Sequence, residues 1–135
     1  MGMFNSIVAD LLCPATGKMS MHSEIQIKWE IHEARTLQAY YAGDLLAHLE
    51  PQYDNTWIRT DYICNACSPK TADRNGHEYI RTKDQRWHLA FVEIDHSRIS
   101  RILTERQFKD LEVHEFVDDV WAGHPDRGSA DPAQR

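Results

Sequence analysis

The sequence predicts an α+β fold: a mostly antiparallel β-sheet that carries two cysteine turns, with one or two short helices at its C-terminal end. Three observations predict it. Ile25, Ile27, Trp29 and Ile31 alternate with Gln26, Lys28 and Glu30, the period-two pattern of a strand buried on one face. Residues 57–63 and 87–94 are rich in aromatic and β-branched side chains, which fit a pleated, half-buried surface. Thr104-Glu105-Arg106-Gln107 matches a capping box, with Thr104 as N-cap and Gln107 three residues on.

In chain order, residues 4–12 predict a first strand that runs into Cys13-Pro14-Ala15-Thr16-Gly17-Lys18. Gly17 suits a tight turn there because glycine takes positive φ freely. After the alternating strand, residues 36–46 predict another strand, bent or ended near Gly43-Asp44. Leu37, Tyr40, Tyr41 and Leu45 fit a short helix as well. A polar loop around Pro51 leads to the strand 57–63, which delivers Cys64-Asn65-Ala66-Cys67. Residues 68–76 read as a turn-rich loop and 77–82 as a return strand. The strand 87–94 then turns through Asp95-His96-Ser97-Arg98 into 99–103, a hairpin. Phe108 and Leu111 of the capped helix are expected to face the core. Val113, Phe116, Val117, Val120 and Trp121 form one apolar stripe at helical spacing, predicting a second helical piece that Gly123 and Pro125 end. Residues 1–123 are thus expected to form one domain, with 124–135 as a flexible polar tail.

Composition bounds the function. The net charge of −6 argues against wholesale phosphate binding, which relies on Lys and Arg contacts. The hydrophobic and charged shares, 41% and 27%, are those of an ordinary globular chain. No apolar run reaches the ~20 residues of a spanning helix, and no secretory signal is visible. An odd count of three cysteines gives no disulfide framework and favours a reducing cytoplasm.

The cysteine turns carry the chemistry. Paired C-x-x-C turns place two thiolates from each of two loops around one tetrahedral ion. Cys13-Pro14-Ala15-Thr16-Gly17-Lys18 resembles the first knuckle of zinc-ribbon proteins, and Cys64-Asn65-Ala66-Cys67 resembles the second. The resemblance implies a zinc-ribbon-like knuckle pair with Cys13, Cys64 and Cys67 as ligands to zinc. Thr16 stands where the family has its other cysteine, and a neutral hydroxyl is a poor zinc ligand beside thiolate or imidazole. A histidine can replace the missing sulfur: His22 is nearest in sequence, with His77 and His88 as later candidates. Two alternatives stay open, a ribbon held by packing without metal and a pair of cysteines that are ordinary core residues.

His22-Ser23-Glu24 with Cys64 and Cys67 also matches part of the signature of zinc nucleobase deaminases, in which Glu24 would shuttle protons. Ile63 stands where proline should precede the first cysteine, and Glu24 opens a strand rather than a helix. No nucleophile elbow or phosphate loop is present. Catalysis is therefore not expected. The expected function is non-catalytic protein binding, in the manner of an inhibitor or immunity-type protein. Its acidic C-terminal helical surface, Glu112, Glu115, Asp118 and Asp119, would meet a basic partner. The alternative is a zinc-ribbon protein that binds single-stranded nucleic acid through arginines interleaved with Tyr62, Tyr79 and Trp87. A zinc-dependent hydrolase or deaminase-like enzyme is the second alternative.

Overall fold

The structure, a computed structural model, describes residues 5–27, 29 and 38–119. It is mostly β-sheet with little helix. The strands are β1 (Asn5–Leu12), β2 (Met19–Ile27), β3 (Ala39–Tyr40), β4 (Trp57–Ile63), β5 (Thr71–Ala72), β6 (Glu78–Tyr79), β7 (Trp87–Asp95) and β8 (Arg98–Thr104). One α-helix, α1 (Glu105–Asp110), two short 3-10 turns (Pro51–Tyr53 and Thr82–Asp84) and a last strand β9 (Val117–Asp118) complete the described chain. Among the described residues no helix is long and apolar enough to cross a membrane.

One sheet has the order β2-β1-β3 and a second the order β8-β7-β4-β9; β5 and β6 form a separate small hairpin. The long pairings, β1 with β2, β4 with β7 and β7 with β8, are antiparallel. Among the described residues only the short edge strands β3 and β9 pair in parallel. Ile7, Leu11 and Ile25 from the first sheet share one buried cluster with Ile58, Tyr62, Ala90 and Val92 from the second, so the main core lies between the two sheets. The alternation of β4 makes this possible: Ile58, Thr60 and Tyr62 turn inward. Trp57 on the opposite face joins Phe91 and Phe108 in a smaller aromatic cluster. There the Phe108 ring stacks on Phe91 with centroids 3.9 Å apart, which docks α1 on the outside of the second sheet.

Several predicted elements form as expected. The capping box at Thr104 is complete, since its hydroxyl accepts from the Gln107 N–H while the Gln107 side chain accepts from the Thr104 N–H. Strands fill 5–12, 57–63 and 87–95, and the hairpin at His96-Ser97 is present. The alternating strand begins earlier than predicted, at Met19; Ile25, Ile27 and Trp29 are buried, and Lys28, Glu30 and Ile31 lie outside the described residues. Only Ala39–Tyr40 of the 36–46 segment is strand. The return strand over 77–82 shrinks to Glu78–Tyr79 and pairs with β5 instead of the main sheet.

The second helical piece does not form over its described residues. After α1 the backbone turns at Glu112 with φ of 58°, runs extended, and pairs Val117 with Ile58 and Asp118 with Arg59. The helical spacing of Phe116 and Val117 is satisfied differently: Phe116 packs edge-on against Phe91 and Phe108, while the backbone gains hydrogen bonds at the sheet edge. Leu111, expected in the core, is 39% exposed, because the helix ends at Asp110 before that position turns inward. Val120, Trp121 and the tail 124–135 lie outside the described residues.

Candidate metal centre

Three strands end at one place, and each carries its inward-facing series one step further. On β1 the buried residues Ile7 and Leu11 are followed by buried Cys13. On β4 the series Ile58, Thr60, Tyr62 continues to buried Cys64. On β7 the inward residues Val92 and Ala90 lead to His88, which lies directly across from Tyr62 in the β4–β7 register. Cys67 joins from the turn that follows Cys64. One ligand atom from each of Cys13, Cys64, Cys67 and His88 lies within 4.8 Å of every other.

The two turns are built alike up to a point. In the first, the Gly17 N–H donates to the Cys13 carbonyl at 2.9 Å and the Cys13 N–H to the Lys18 carbonyl at 2.8 Å, with Gly17 at φ of 72°. This closes the loop so that Leu12 pairs with Met19. In the second, the Ser68 N–H donates to the Cys64 carbonyl at 3.3 Å, and the Cys64 N–H is anchored by the Arg86 carbonyl at 2.7 Å. A side-chain clasp joins the turns. The Asn65 N–H donates to Ser20 Oγ and Asn65 Nδ2 to the Met21 carbonyl, each at 2.8 Å. Ser20 is positioned for this by an irregularity between β1 and β2, where its hydroxyl lies 2.6 Å from that of Ser23.

The four donor atoms lie close enough together to hold one metal ion. With zinc–sulfur bonds of about 2.3 Å and zinc–nitrogen bonds of about 2.0 Å, sulfurs sit about 3.8 Å apart and sulfur and nitrogen about 3.6 Å apart. His88 Nε2 lies 3.7 Å from Cys13 Sγ and 3.2 Å from Cys67 Sγ. Three sulfurs and one imidazole are a soft donor set suited to zinc. Burial pushes the Cys13 thiol up, but hydrogen bonds from the Thr16 hydroxyl, the Thr16 and Ala15 N–H groups and Cys64 outweigh it, and the net direction is down. Cys67 is pushed up to about 12 by burial, and by hydrogen bonding and charge from Cys64 and Cys13. Cys13 therefore carries charge before Cys67 does.

The other sequence candidates stand elsewhere. His22 is exposed in β2 at φ of 51°, its N–H bonded to Asp10, outside the cysteine group. His77 sits in the β5–β6 hairpin beside Asp73. Glu24 is exposed, paired across from Val8, and is not part of the group either. Thr16 stays in the first turn as a hydrogen-bond partner of Cys13. Of the acidic surface residues, Glu112 and Glu115 are exposed and Asp118 forms an ion pair with Arg59. Asp119 is buried and accepts a 3.0 Å hydrogen bond from the Thr60 hydroxyl, so it does not belong to the outer surface. Ser20 and Asn65 had no signal in the sequence, because serine and asparagine in turns are too common to mark a clasp. His88 did have one: it shares the inward parity of Ala90 and Val92.

No family model, curated protein or solved structure matches this chain.

Proposed function

We propose that the chain is a non-catalytic binding module whose two cysteine turns are closed by one structural zinc ion, held by Cys13, Cys64, Cys67 and His88. The observation that carries this is the completeness of the donor set. Catalytic zinc sites keep one position open for water or substrate, whereas structural sites fill all four with protein. Here the first turn lacks a cysteine and His88 takes the vacant direction, in a zinc-ribbon-like arrangement. Glu24, the residue a deaminase would use as its proton shuttle, points away from this role by its exposure on β2. The test is equilibrium dialysis against zinc with and without a chelator. One tightly held zinc per chain, with loss of thermal stability on chelation, supports the reading.

The partner is a protein with a basic surface, met by the exposed acids Glu112 and Glu115 together with Glu105 and Asp110 of α1, as in an inhibitor or immunity-type protein. Opposite charge across a surface governs association rate and partner choice. Capture of the same partner by the wild type but not by Glu112→Gln/Glu115→Gln, at low salt, is the expected result.

A second reading is favoured by the segment that leaves the second turn and returns at β7. Lys70, Arg74, Arg81, Lys83 and Arg86 outnumber Asp73, Glu78 and Asp84 there, and Tyr79 is 48% exposed. A basic hairpin with an exposed ring suits single-stranded nucleic acid, by phosphate contact and base stacking. Binding of an oligonucleotide that weakens steeply with salt, and is lost with Tyr79→Ala, would select this reading over the first.

A further inference from the structure

The cysteine group forms only one wall of a cleft of about 920 Å³. Residues of α1 and of the start of β7 line it as well. The surfaces between them are apolar: Leu12, Pro14, Trp87 and Leu89 line the cleft. Leu12 is 48% exposed there, although it ends a strand whose neighbours are buried. A strand end that leaves a leucine to water beside a tryptophan wall is a surface with something to gain from an apolar occupant.

The lining carries three cations, Arg86, Arg106 and Lys109, against two carboxylates, Glu105 and Asp110. Arg86 and Arg106 both line the cleft, and among the described residues neither guanidinium has an ion pair or hydrogen bond. Arg86 is engaged only through its backbone, with Ser68 and Cys64. Lys109 also lines the cleft, but Glu105 beside it answers its charge at 4.0 Å. Asp110 is the one carboxylate left against the two free arginines. Elsewhere in the fold Arg59 pairs with Asp118, and Arg101 with Glu93.

We infer that this cleft is a binding site for a small apolar carboxylate, its hydrocarbon part against Leu12, Trp87 and Leu89 and its head group between Arg86 and Arg106. The volume lies within the range of pockets that hold drug-sized molecules. Arginine forks recognise carboxylates bidentately. The inference goes beyond the metal and partner readings and does not rest on them, because its walls and its arginines are present whatever the cysteines hold.

The experiment is a chemical-shift titration of the isotope-labelled full chain with octanoate, with octanol as the neutral comparison. Saturable one-site shifts at the Leu12, Trp87, Leu89 and Arg106 amides are expected, with octanol binding at least about tenfold more weakly. The double variant Arg86→Gln/Arg106→Gln should erase the difference between the two probes while leaving octanol binding unchanged. Octanol binding as tightly as octanoate, or no saturable shift at those amides, would overturn the inference. Inorganic phosphate shifting the same amides as strongly would remove the apolar part of it. A single-stranded oligonucleotide that displaces octanoate from these amides would overturn it in favour of a nucleic-acid site.

Discussion

The two cysteine turns differ by one residue in what they offer a metal, and the difference bears on where a fourth donor would come from. The second turn supplies Cys64 and Cys67. The first supplies Cys13 alone, with Thr16 where a partner sulfur would be expected. The deficit is not made good within the turn, nor by the nearest histidine in sequence, His22. In the proposed site it would be made good by His88, on the strand that pairs with the one leading into the second turn. Strand parity decides which side chain the sheet points at the cysteines, and here that residue is His88.

The comparison breaks most completely if His88 is removed. His88→Ala should weaken zinc binding by more than the ten- to a hundredfold typical of losing a ligand's supporting contact, read by competition with a chromogenic chelator. Thr16→Cys placed in that background should restore much of the affinity, since it returns the missing sulfur to the first turn. His22→Ala should change neither affinity nor stoichiometry.

A second contrast separates the metal end of the main core from the aromatic cluster on the outer face. Phe108→Ala removes the ring that stacks on Phe91 and meets Trp57 edge-on. It should cost about 3–5 kcal/mol in denaturant unfolding while leaving zinc stoichiometry unchanged. A loss of zinc together with stability would show that the two regions unfold as one.

These outcomes depend on features of unequal legibility. The long strands were readable because their apolar side chains alternate, and the capping box because its two reciprocal hydrogen bonds need particular residues at fixed spacing. The segment after α1 is not legible in this way, because Phe116 and Val117 fit a helical stripe and a sheet edge equally well. Only the aromatic cluster outside the sheet decides between them. The cysteines were legible as a motif. The histidine that joins them was not singled out by proximity, because sequence distance says little about which residue lies opposite Tyr62 once β4 and β7 have paired.

A smaller effect is expected at the clasp between the turns. Ser20→Ala leaves the Asn65 N–H without its acceptor and the Ser23 hydroxyl without its neighbour, at a cost of about 1–3 kcal/mol. If the turns are held mainly by metal, the cost should shrink when zinc is saturating.

The far end of the molecule gives the smallest signal and a pH dependence of known sign. His96 and Ser97 both have positive φ without being glycine. They are held by Asn55, which accepts from the His96 N–H, and by Asp54, which accepts from the Ser97 N–H and hydroxyl. The Ser97 N–H bond leads the causes that hold the Asp54 carboxyl below its usual range. A depressed carboxylate contributes stability above its unfolded value of about 3.9 and loses it as the pH falls through the folded value. Asp54→Ala should therefore lower Tm at neutral pH, with the gap to wild type closing as the pH falls below about 4.

The most direct measurement is elemental analysis of the purified chain, with zinc counted per protein. The arrangement of Cys13, Cys64, Cys67 and His88 predicts one zinc per chain, retained through dialysis. Protein that carries no metal, and takes none up when titrated with zinc under reducing conditions, would contradict it.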